Sequence, residues 1–341
     1  MADALAPVIR LAPAKLNLTL AVVGRRPDGF HALHSVMAPL MLADRIAVAV
    51  LPGGEDTLHV AGFEAGPVAD NLALRAVAAA RRAVGRSVPT PPLAIRLEKR
   101  IPVGAGLAGG SSDAAAALGA ALEAWGAELD DDRRLSVAAG LGSDVPFFLA
   151  GGAALVEGRG ERVTPLHGLR AGSAPPAVLL VTPAVHLSTA DVFAAWSAGA
   201  MAEPGVARRT SEHFASEFGS GLTTAALLER AGVLASANDL LPAAAAVYPD
   251  LLPWRRRLMR RLGRPVGLSG SGPTLWTLYA STGAATAAAA EVQAAIADGS
   301  LPVTDAPPFV YATTLALAAE PGTRDDDQPW TPIADEGGPP R

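Results

Sequence analysis

The sequence contains no cysteine among its 341 residues. Disulfide bonds, thiol nucleophiles, iron–sulfur clusters and cysteine-ligated zinc are therefore excluded. It has only six histidines, and none of them forms a His-Glu-x-x-His pattern. His31 and His34 lie close together in the chain, but no nearby carboxylate completes a plausible metal site with them. We therefore assign no metal-ligating residues.

An excess of positive charge and long apolar runs are also missing. The formal net charge is −5, whereas a general nucleic-acid coat requires a basic balance. No stretch of about 20 uninterrupted apolar residues is present, and the N-terminus lacks the basic segment and apolar run of a secretory signal. We expect a cytoplasmic protein that binds neither nucleic acid nor a membrane.

Hydrophobic residues, in contrast, make up 50% of the chain, which is enough for a sizeable core. At roughly 150 residues per domain, the length suggests two domains. The loop-rich segment 167–176 marks the boundary, so we predict an N-terminal domain over 1–172 and a C-terminal domain over 173–319. Proline, glycine and acidic residues dominate the end of the chain, and we predict that 320–341 is a disordered tail.

A strand with one polar face is predicted near the N-terminus. Polar and apolar residues alternate in the middle of 8–23, so that Lys15, Asn17 and Thr19 point to the same side. The following Asp-Gly pair at 28–29, preceded by proline, predicts a tight turn.

A second strand, predicted at 93–98, leads into a glycine-rich loop at 104–110. We predict a helix from Ser111 to about Trp125 directly after this loop. Further strands are predicted at 45–51, 57–60, 153–156, 161–165, 178–181, 265–268, 274–279 and 309–317, and further helices at 71–84, 130–140, 189–197, 223–230, 253–262 and 284–296.

The segment 102–113, which holds the glycine-rich loop, is the most informative part of the sequence. Without side chains, the backbone N–H groups of such a loop can approach a ligand closely. The start of the following helix adds unpaired N–H donors and the positive end of the helix dipole, an arrangement that suits phosphate. The plain alternative is a flexible connection between a strand and a helix.

Three other motifs fit the sequence less well. Gly104, Gly106 and Gly109 satisfy the dinucleotide-binding G-x-G-x-x-G pattern, but no apolar strand ending in an acidic residue follows the helix. A Walker loop requires lysine where Gly110 stands. A serine-hydrolase elbow requires G-x-S-x-G, which does not occur here.

The segment 102–113 resembles the phosphate loop of the GHMP small-molecule kinases, the superfamily of galactokinase, homoserine kinase and mevalonate kinase. Segments 12–18 and 268–273 resemble the first and third motifs of that family. Four more segments resemble, in the expected order, the branch of the family with a cytidine-containing acceptor: 26–31, 70–72, 141–148 and 238–240. The resemblance covers roughly residues 8–318.

This resemblance implies an α+β protein with a ribosomal-S5-like N-terminal domain, a ferredoxin-like C-terminal domain and a cleft between them. It also implies ATP-dependent phosphorylation of the 2-hydroxyl of a cytidine-diphosphate-linked methylerythritol, a step in the non-mevalonate isoprenoid pathway. We expect ATP and Mg²⁺ as cofactors, small molecules as partners, and a monomer or weak homodimer.

Two residues are the candidates for catalysis. Asp144 would be the base or orienting group for the attacking hydroxyl, and Lys15 beside it would keep that carboxylate ionised and offset developing charge. A capping or turn role for Asp144 and a solvated position for Lys15 are the structural alternatives.

The acceptor would be held by residues of both predicted domains. By the resemblance, Phe30 stacks on the cytosine, where the family often has tyrosine, and His31 hydrogen-bonds the edge of the base. Asn17 would bind hydroxyls or phosphates, and Thr189 belongs to the same acceptor site. Phe193 would be a second stacking wall, although an ordinary core aromatic fits it equally well.

ATP would contact the following set, which lies before, within and after the glycine-rich loop: Asn71, Lys99, Pro102, Gly104, Gly106, Leu107, Gly109, Gly110, Ser111 and Ser112. Lys99 is equally explained as a charge at the end of a strand. Ala105 and Ala108 stand where the family often has glycine, which is tolerable if both keep a negative φ. Asp113 would repel phosphate, and the sequence leaves open whether it faces away as a helix-cap acid or assists Mg²⁺.

Other functions stay open at this point. Another GHMP kinase would act on homoserine, mevalonate or a sugar, and these acceptors carry no base for Phe30 and His31. A non-catalytic nucleotide-binding module is the alternative from another class, and the pair Lys15 and Asp144 argues against it. A dehydrogenase is a third alternative.

Overall fold

The computed structural model describes residues 6–86, 88–198, 205–302 and 306–317; the predicted tail, 320–341, lies outside these described residues. The strands are β1 (Val8–Asn17), β2 (Ala21–Arg25), β3 (His31–Val50), β4 (Thr57–Gly62), β5 (Leu93–Lys99), β6 (Ala154–Gly158), β7 (Arg162–Pro165), β8 (Ala177–Thr182), β9 (Gly267–Leu268), β10 (Leu275–Tyr279) and β11 (Phe309–Thr314).

The α-helices are α1 (Leu72–Val84), α2 (Gly109–Trp125), α3 (Asp131–Leu141), α4 (Val145–Ala150), α5 (Thr189–Ala198), α6 (Val206–Gly219), α7 (Thr224–Glu229), α8 (Ala231–Leu234), α9 (Leu241–Val247), α10 (Leu251–Leu262) and α11 (Thr282–Ala297). In the part of the chain that the structure describes, none of them is long and apolar enough to cross a membrane.

The first sheet has the strand order β4-β5-β3-β6-β7. Its central strand, β3, has 20 residues and pairs with four other strands. The first part of β3 pairs with β2 and β6, and its second part pairs with β1 and β5. The pair β4–β5 is parallel, and the other pairs in this sheet are antiparallel. The sequence predicted only 45–51 as a strand here, because residues 34–40 are buried in succession and show no alternation.

Alanine-rich helices cover this sheet. In α2, Ala114, Ala117 and Ala121 are fully buried, and they pack in one hydrophobic cluster with Val77 of α1 and Ile46 of β3. Small side chains let the helices come close to each other and to the strands, and this places the start of α2 near the middle of the molecule.

The second sheet has the antiparallel order β11-β8-β10-β9. All six residues of β8 are buried, as expected for the apolar segment predicted at 178–181. Trp254 of α10 and Val292 of α11 pack in one cluster with Leu179 of β8. The division at 172/173 falls in the segment between β7 and β8, and it stays a prediction.

Main-chain hydrogen bonds join the half of the molecule that contains the first sheet to the half that contains the second sheet. The Leu20 N–H donates to the carbonyl of Ala237 at 2.6 Å, and the Asp239 N–H donates to the carbonyl of Leu20 at 2.9 Å. On another side, Leu40 and Leu315 form an isolated antiparallel bridge. The polar face of β1 also lies against the second half of the chain, because a Cβ on Gly270 would lie 3.1 Å from Lys15 Nζ and 3.5 Å from Asn17 Oδ1.

Candidate active site

A cavity of about 1180 Å³ lies between the two halves of the molecule. All of the predicted site residues line it except Leu107 and Ser112: Lys15, Asn17, Phe30, His31, Asn71, Lys99, Pro102, Gly104, Gly106, Gly109, Gly110, Ser111, Asp144, Thr189 and Phe193. The fold therefore brings these side chains to one place from six separate segments of the chain.

Leu107 and Ser112 are not among the residues that line this cavity, and their predicted contacts with ATP stay a prediction. Leu107 is fully buried in the hydrophobic core, and its carbonyl accepts the N–H of Lys15 at 3.0 Å. Ser112 is also buried, and its Oγ has no hydrogen-bond partner. Leu107 precedes α2 and Ser112 lies in its first turn, and both side chains are buried.

The glycine-rich loop ends in an unusual backbone conformation. Helix α2 begins at Gly109, two residues earlier than predicted, with Ala108 as its N-cap at φ 55°. Among the described residues, Ala108 is the one non-glycine residue with a positive φ, so the expectation of a negative φ is wrong for it. A left-handed alanine costs about 1–3 kcal/mol, and such strain is typical of functional sites.

A second loop, residues 269–272, packs directly on the glycine-rich loop. Ser269 Oγ donates to the carbonyl of Gly106 at 3.0 Å. A Cβ on Gly106 would lie 2.4 Å from the carbonyl oxygen of Ser269, so this contact requires glycine. Asn238 Nδ2 in turn donates to the carbonyls of Leu268 and Gly270, both at 2.9 Å. The second half of the chain thus fixes the shape of the loop.

Lys15 and Asp144 face each other across the cavity wall. Lys15 Nζ lies 3.9 Å from Asp144 Oδ2 and also donates to Asn17 Oδ1. Lys15 is 3% exposed, so the solvated position is wrong. Burial lowers the pKa of the Lys15 ammonium, and the Asp144 carboxylate acts in the opposite direction. Loop residue Gly270 closes over this amine, because a Cβ there would lie 3.1 Å from Nζ.

Asp144 stands at the start of α4 but does not cap it. Its side chain accepts no hydrogen bond from the helix, so the capping alternative is not what the structure shows. The side chain is 31% exposed and lines the cavity. The carboxylate is therefore accessible to a ligand while it stays within reach of a buried cation.

A buried charged cluster lies behind the glycine-rich loop. Lys99 Nζ donates to Asp113 Oδ2 at 2.7 Å and also to Asp44. Asp44 accepts the N–H groups of Arg100 and Ile101 as well, at 2.5 and 2.8 Å, whereas Asp113 Oδ1 has no hydrogen-bond partner. Burial raises the pKa of Asp113 to about 7, with Asp44 adding to the rise and Lys99 opposing it.

This cluster shows the structural positions of Lys99 and Asp113. Lys99 is the last residue of β5, so it is a charge at the end of a strand, and it is buried; its predicted contact with ATP stays a prediction. Asp113 is the fifth residue of α2 rather than a cap, and it is bonded to Lys99.

The other end of the cavity is aromatic. The His31 ring stacks on Phe193, with centroids 5.0 Å apart, and meets Trp196 edge-on at 5.2 Å. His31 Nε2 is 2.9 Å from Ser197 Oγ. Burial, and then the charge of Arg25, lower the pKa of His31. A neutral ring offers one donor and one acceptor, which suits recognition of a polar base edge.

Phe30 is half-exposed at the same end of the cavity, and the guanidinium of Arg159 lies over its ring, 5.2 Å from the centroid. Sequence reasoning missed Arg159, Trp196 and Ser197. Trp196 and Ser197 follow Phe193 at helical spacing, a signal that places them near its face of α5. Arg159 gave no such signal, because it reaches Phe30 from a distant hairpin.

The remaining two predicted residues have structural partners as well as a place at the cavity. Asn71 caps α1, since its Oδ1 accepts the N–H of Ala73 at 2.9 Å. Thr189 begins α5, and its Oγ1 lies 3.0 Å from the Oγ of Ser271. Thr189 thereby connects the start of α5 to the loop at 269–272.

Comparison with known proteins identifies the family. The GHMP kinases N terminal domain matches residues 71–152, and the GHMP kinases C terminal domain matches 222–298. A 4-diphosphocytidyl-2-C-methyl-D-erythritol kinase of Pelotomaculum thermopropionicum is 38% identical over 274 residues, which is 80% of this chain and 89% of that protein.

Solved structures give the same result. A crystal structure of 4-(cytidine 5'-diphospho)-2C-methyl-D-erythritol kinase is 35% identical, with a TM-score of 0.64, covering 90% of this chain and 99% of that chain. Homoserine kinase from Cytophaga hutchinsonii has a TM-score of 0.65 over 91% of this chain and 95% of that chain. Its 16% identity shows the shared fold alone.

The fold and the site define an α+β small-molecule kinase with the two GHMP kinase domains. The family follows from the identity and coverage of the curated relatives. The chain belongs to the family of the 4-diphosphocytidyl-2-C-methyl-D-erythritol kinases.

Proposed function

We propose that the chain transfers the γ-phosphoryl group of ATP to the 2-hydroxyl of 4-diphosphocytidyl-2-C-methyl-D-erythritol, in the non-mevalonate pathway to isoprenoids. The observation that carries the proposal is one cavity with two different ends. The glycine-rich loop and the pair Lys15–Asp144 lie at one end, and the aromatic group around His31 lies at the other.

Asp144 would act on the acceptor hydroxyl. Its carboxylate is accessible from the cavity and would accept the hydroxyl proton as the oxygen attacks phosphorus. Lys15 would hold that carboxylate in place and offset the negative charge that develops during transfer. Because Asn17 holds the Lys15 amine from the other side, the cation is positioned before any substrate arrives.

The glycine-rich loop would bind the phosphates of ATP. Gly109 and Gly110 are the first residues of α2, so their N–H groups have no partner within the helix. Positive φ values at Gly104 and Gly106 let the backbone run close to a ligand without a side chain in the way. These main-chain donors fit a triphosphate, and the dipole of α2 has the favourable sign.

The described residues contain no group of three or more histidine, aspartate or glutamate side chains that could hold a metal ion. Mg²⁺ usually binds through one or two carboxylates together with the phosphates of the substrate, so it needs no such group. We propose that Mg²⁺ is brought to the enzyme on the phosphates of ATP.

The cytidine group would occupy the aromatic end. His31 would read the polar edge of the base, and Phe30 and Phe193 would supply apolar faces for stacking. Stacking of this kind contributes about 1–3 kcal/mol per base in single-strand binders. Homoserine and mevalonate have no group that would use these rings, so the aromatic end argues against the other kinases of the same fold.

A coupled assay of ADP release tests the acceptor. The purified chain is supplied with ATP and, separately, with the cytidine-containing acceptor, homoserine, mevalonate and galactose. We expect turnover with the first acceptor alone. Equal turnover with a cytidine-free acceptor would contradict the proposal and return the chain to the wider superfamily. The monomeric or weakly dimeric state and the cytoplasmic location stay predictions.

A further inference from the structure

A chain of buried hydrogen bonds leads from Lys15 into the interior of the protein. Lys15 Nζ donates to Asn17 Oδ1, and Asn17 Nδ2 donates to Ser35 Oγ at 2.9 Å. Ser35 Oγ in turn donates to the carbonyl of Thr19 at 2.5 Å. Asn17 is 2% exposed and Ser35 is fully buried. Ser35 does not line the cavity, so it does not touch a substrate there.

The Lys15 amine depends on Asn17 for its position. Its Nζ lies 3.9 Å from Asp144 Oδ2, which is too far for a hydrogen bond. Among the described residues, Asn17 Oδ1 is its one hydrogen-bond acceptor. A lysine side chain has a flexible stem of four carbons, so the ion pair alone does not fix the amine. The Asn17 amide therefore determines where the ammonium lies relative to Asp144.

Ser35 decides which end of the Asn17 amide faces Lys15. An amide has an accepting oxygen at one end and a donating NH₂ group at the other, whereas an ammonium only donates. The Ser35 hydroxyl has one proton, and it donates this proton to the carbonyl of Thr19. The Ser35 oxygen therefore only accepts, which requires the NH₂ group of Asn17 on its side and leaves the amide oxygen for Lys15.

The Ser35 hydroxyl is itself held by the backbone of the first sheet. Ser35 lies on β3, and Thr19 lies between β1 and β2. The N–H of Val36 donates to Thr19 Oγ1 at 3.0 Å, and the same Oγ1 lies 2.7 Å from Ser211 Oγ of α6. These bonds keep the carbonyl of Thr19 beside the Ser35 side chain, so the acceptor of the Ser35 proton is in place before any substrate binds.

We propose that Ser35 is a positioning residue for phosphoryl transfer: it orients the Asn17 amide, and this amide holds the Lys15 ammonium near Asp144. The inference rests on the proposed function, in which Lys15 offsets the charge that develops during transfer. Because Ser35 has no contact with the cavity, its effect should fall on the chemical step rather than on the binding of either substrate. A catalytic group displaced by about 1 Å can lower the rate roughly 100-fold.

The test measures kcat and both KM values, with ATP and the cytidine-containing acceptor, for Ser35→Ala and Ser35→Thr. Alanine removes the hydroxyl, whereas threonine keeps it. Ser211→Ala is the matched control, because Ser211 is also a fully buried serine but bonds Thr19 and His34 instead of Asn17. Urea unfolding of each variant measures the loss of stability separately.

We expect Ser35→Ala to lower kcat about 10- to 100-fold and to change both KM values little. Ser35→Thr should restore most of the kcat, since its hydroxyl can make the same two hydrogen bonds. Ser211→Ala should lower the stability while its kcat stays near that of the wild type.

A double-mutant cycle tests whether Ser35 acts through Asn17. Asn17→Ala removes the amide, so Ser35→Ala should lower kcat no further in that background, although it should still lower the stability. Losses of kcat that multiply in the double variant would mean that Ser35 acts by another route, and would overturn the inference.

A near-normal kcat in folded Ser35→Ala would also overturn the inference, as would an equal fall of kcat in Ser211→Ala. If Ser35→Ala does not fold, Ser35→Cys carries the same comparison, because a thiol is only a weak donor and acceptor. A wild-type chain that releases no ADP with this acceptor would instead refute the proposed function, which keeps the two failures distinct.

Discussion

Asp144 is the residue on which the chemistry of the account depends, since it is the accessible carboxylate beside the buried Lys15. We predict that Asp144→Asn lowers kcat by about 10²- to 10⁴-fold, the range attributed to acid–base groups. The amide keeps the shape of the side chain, so the dissociation constant for ATP should stay nearly the same. Steady-state kinetics and ATP titration measure both quantities, and near-normal turnover would reject Asp144 as the base.

Ala108 stores strain at the phosphate loop. Its left-handed conformation suits glycine, so Ala108→Gly should raise the free energy of unfolding by up to about 1 kcal/mol, after the extra entropy of glycine in the unfolded chain is subtracted. Ala105→Gly is the matched control, because Ala105 is buried without a positive φ and should lose stability instead. Urea unfolding distinguishes the two, and a loss in Ala108→Gly would show that its methyl packing outweighs the strain.

Asp113 should make the stability of the protein depend on pH. Its pKa of about 7 in the folded state exceeds the ordinary 3.8, so between these values the folded state binds more protons than the unfolded state. The contribution of this group to stability therefore falls as the pH rises from about 4 to about 7, and then levels off.

Asp113→Asn removes that titration and isolates it from the other carboxylates. The free energy of unfolding of the variant, minus that of the wild type, should become more favourable to the variant as the pH rises from 5 to 8. Urea unfolding at each pH gives the difference. A constant difference across this range would mean that Asp113 stays ionised beside Lys99 throughout.

At the scale of the element, two glycines in the glycine-rich loop and helix α2 test how closely this loop packs against the loop at 269–272. Gly106→Ala should lower both stability and ATP affinity, since its φ is 75° and the new Cβ would lie 2.4 Å from the Ser269 carbonyl. Gly119→Ala is the control, because Gly119 lies inside α2 with nothing within 4 Å of its Cβ position. It should gain about 0.5–1 kcal/mol. Thermal unfolding and ATP titration compare them, and a neutral Gly106→Ala would contradict the close approach of the loops.

Strands and helices with a clear hydrophobic periodicity were predictable from the sequence. Elements whose buried positions hold small or polar residues were not. Strands β4, β5, β8 and β10 and helices α1, α3 and α11 match their predictions closely. Helix α6 was missed, although its buried residues Ala207, Ser211, Phe214, Ala215 and Phe218 follow helical spacing. Small and polar residues weakened that signal, because Ser211 is buried to bond Thr19 and His34.

The sequence predicted the motifs that contribute to the site, but not which of their side chains are buried or which charged groups pair with them. Alternation placed Lys15, Asn17 and Thr19 on one face of a strand, but it could not show that the second half of the chain covers that face. Arg159 and Asp44 reach the site from distant segments, and only the folded sheet shows that they belong to it. The sequence carries local spacing, whereas burial and ion pairing depend on contacts between distant segments.

At the scale of the whole molecule, the fold alone does not decide the acceptor. A homoserine kinase shares this fold at 16% identity, so the architecture does not distinguish the acceptors. The matches to the two GHMP kinase domains give the class of kinase, and the proposed acceptor rests on the aromatic end of the cavity. The hydrogen bonds of Leu20 with Ala237 and Asp239, and that of Ser269 with Gly106, hold the two halves together around that cavity. We therefore propose that phosphate and the base bind at separate ends of one site.

Analysis of the reaction product tests the central claim most directly. The chain is incubated with ATP and 4-diphosphocytidyl-2-C-methyl-D-erythritol, and the acceptor is examined by mass spectrometry and ³¹P NMR. The account predicts one added phosphate, seen as a new phosphomonoester on the 2-hydroxyl, with the diphosphate intact and no product from Asp144→Asn. An unmodified acceptor, or a phosphate on any other oxygen, would contradict it.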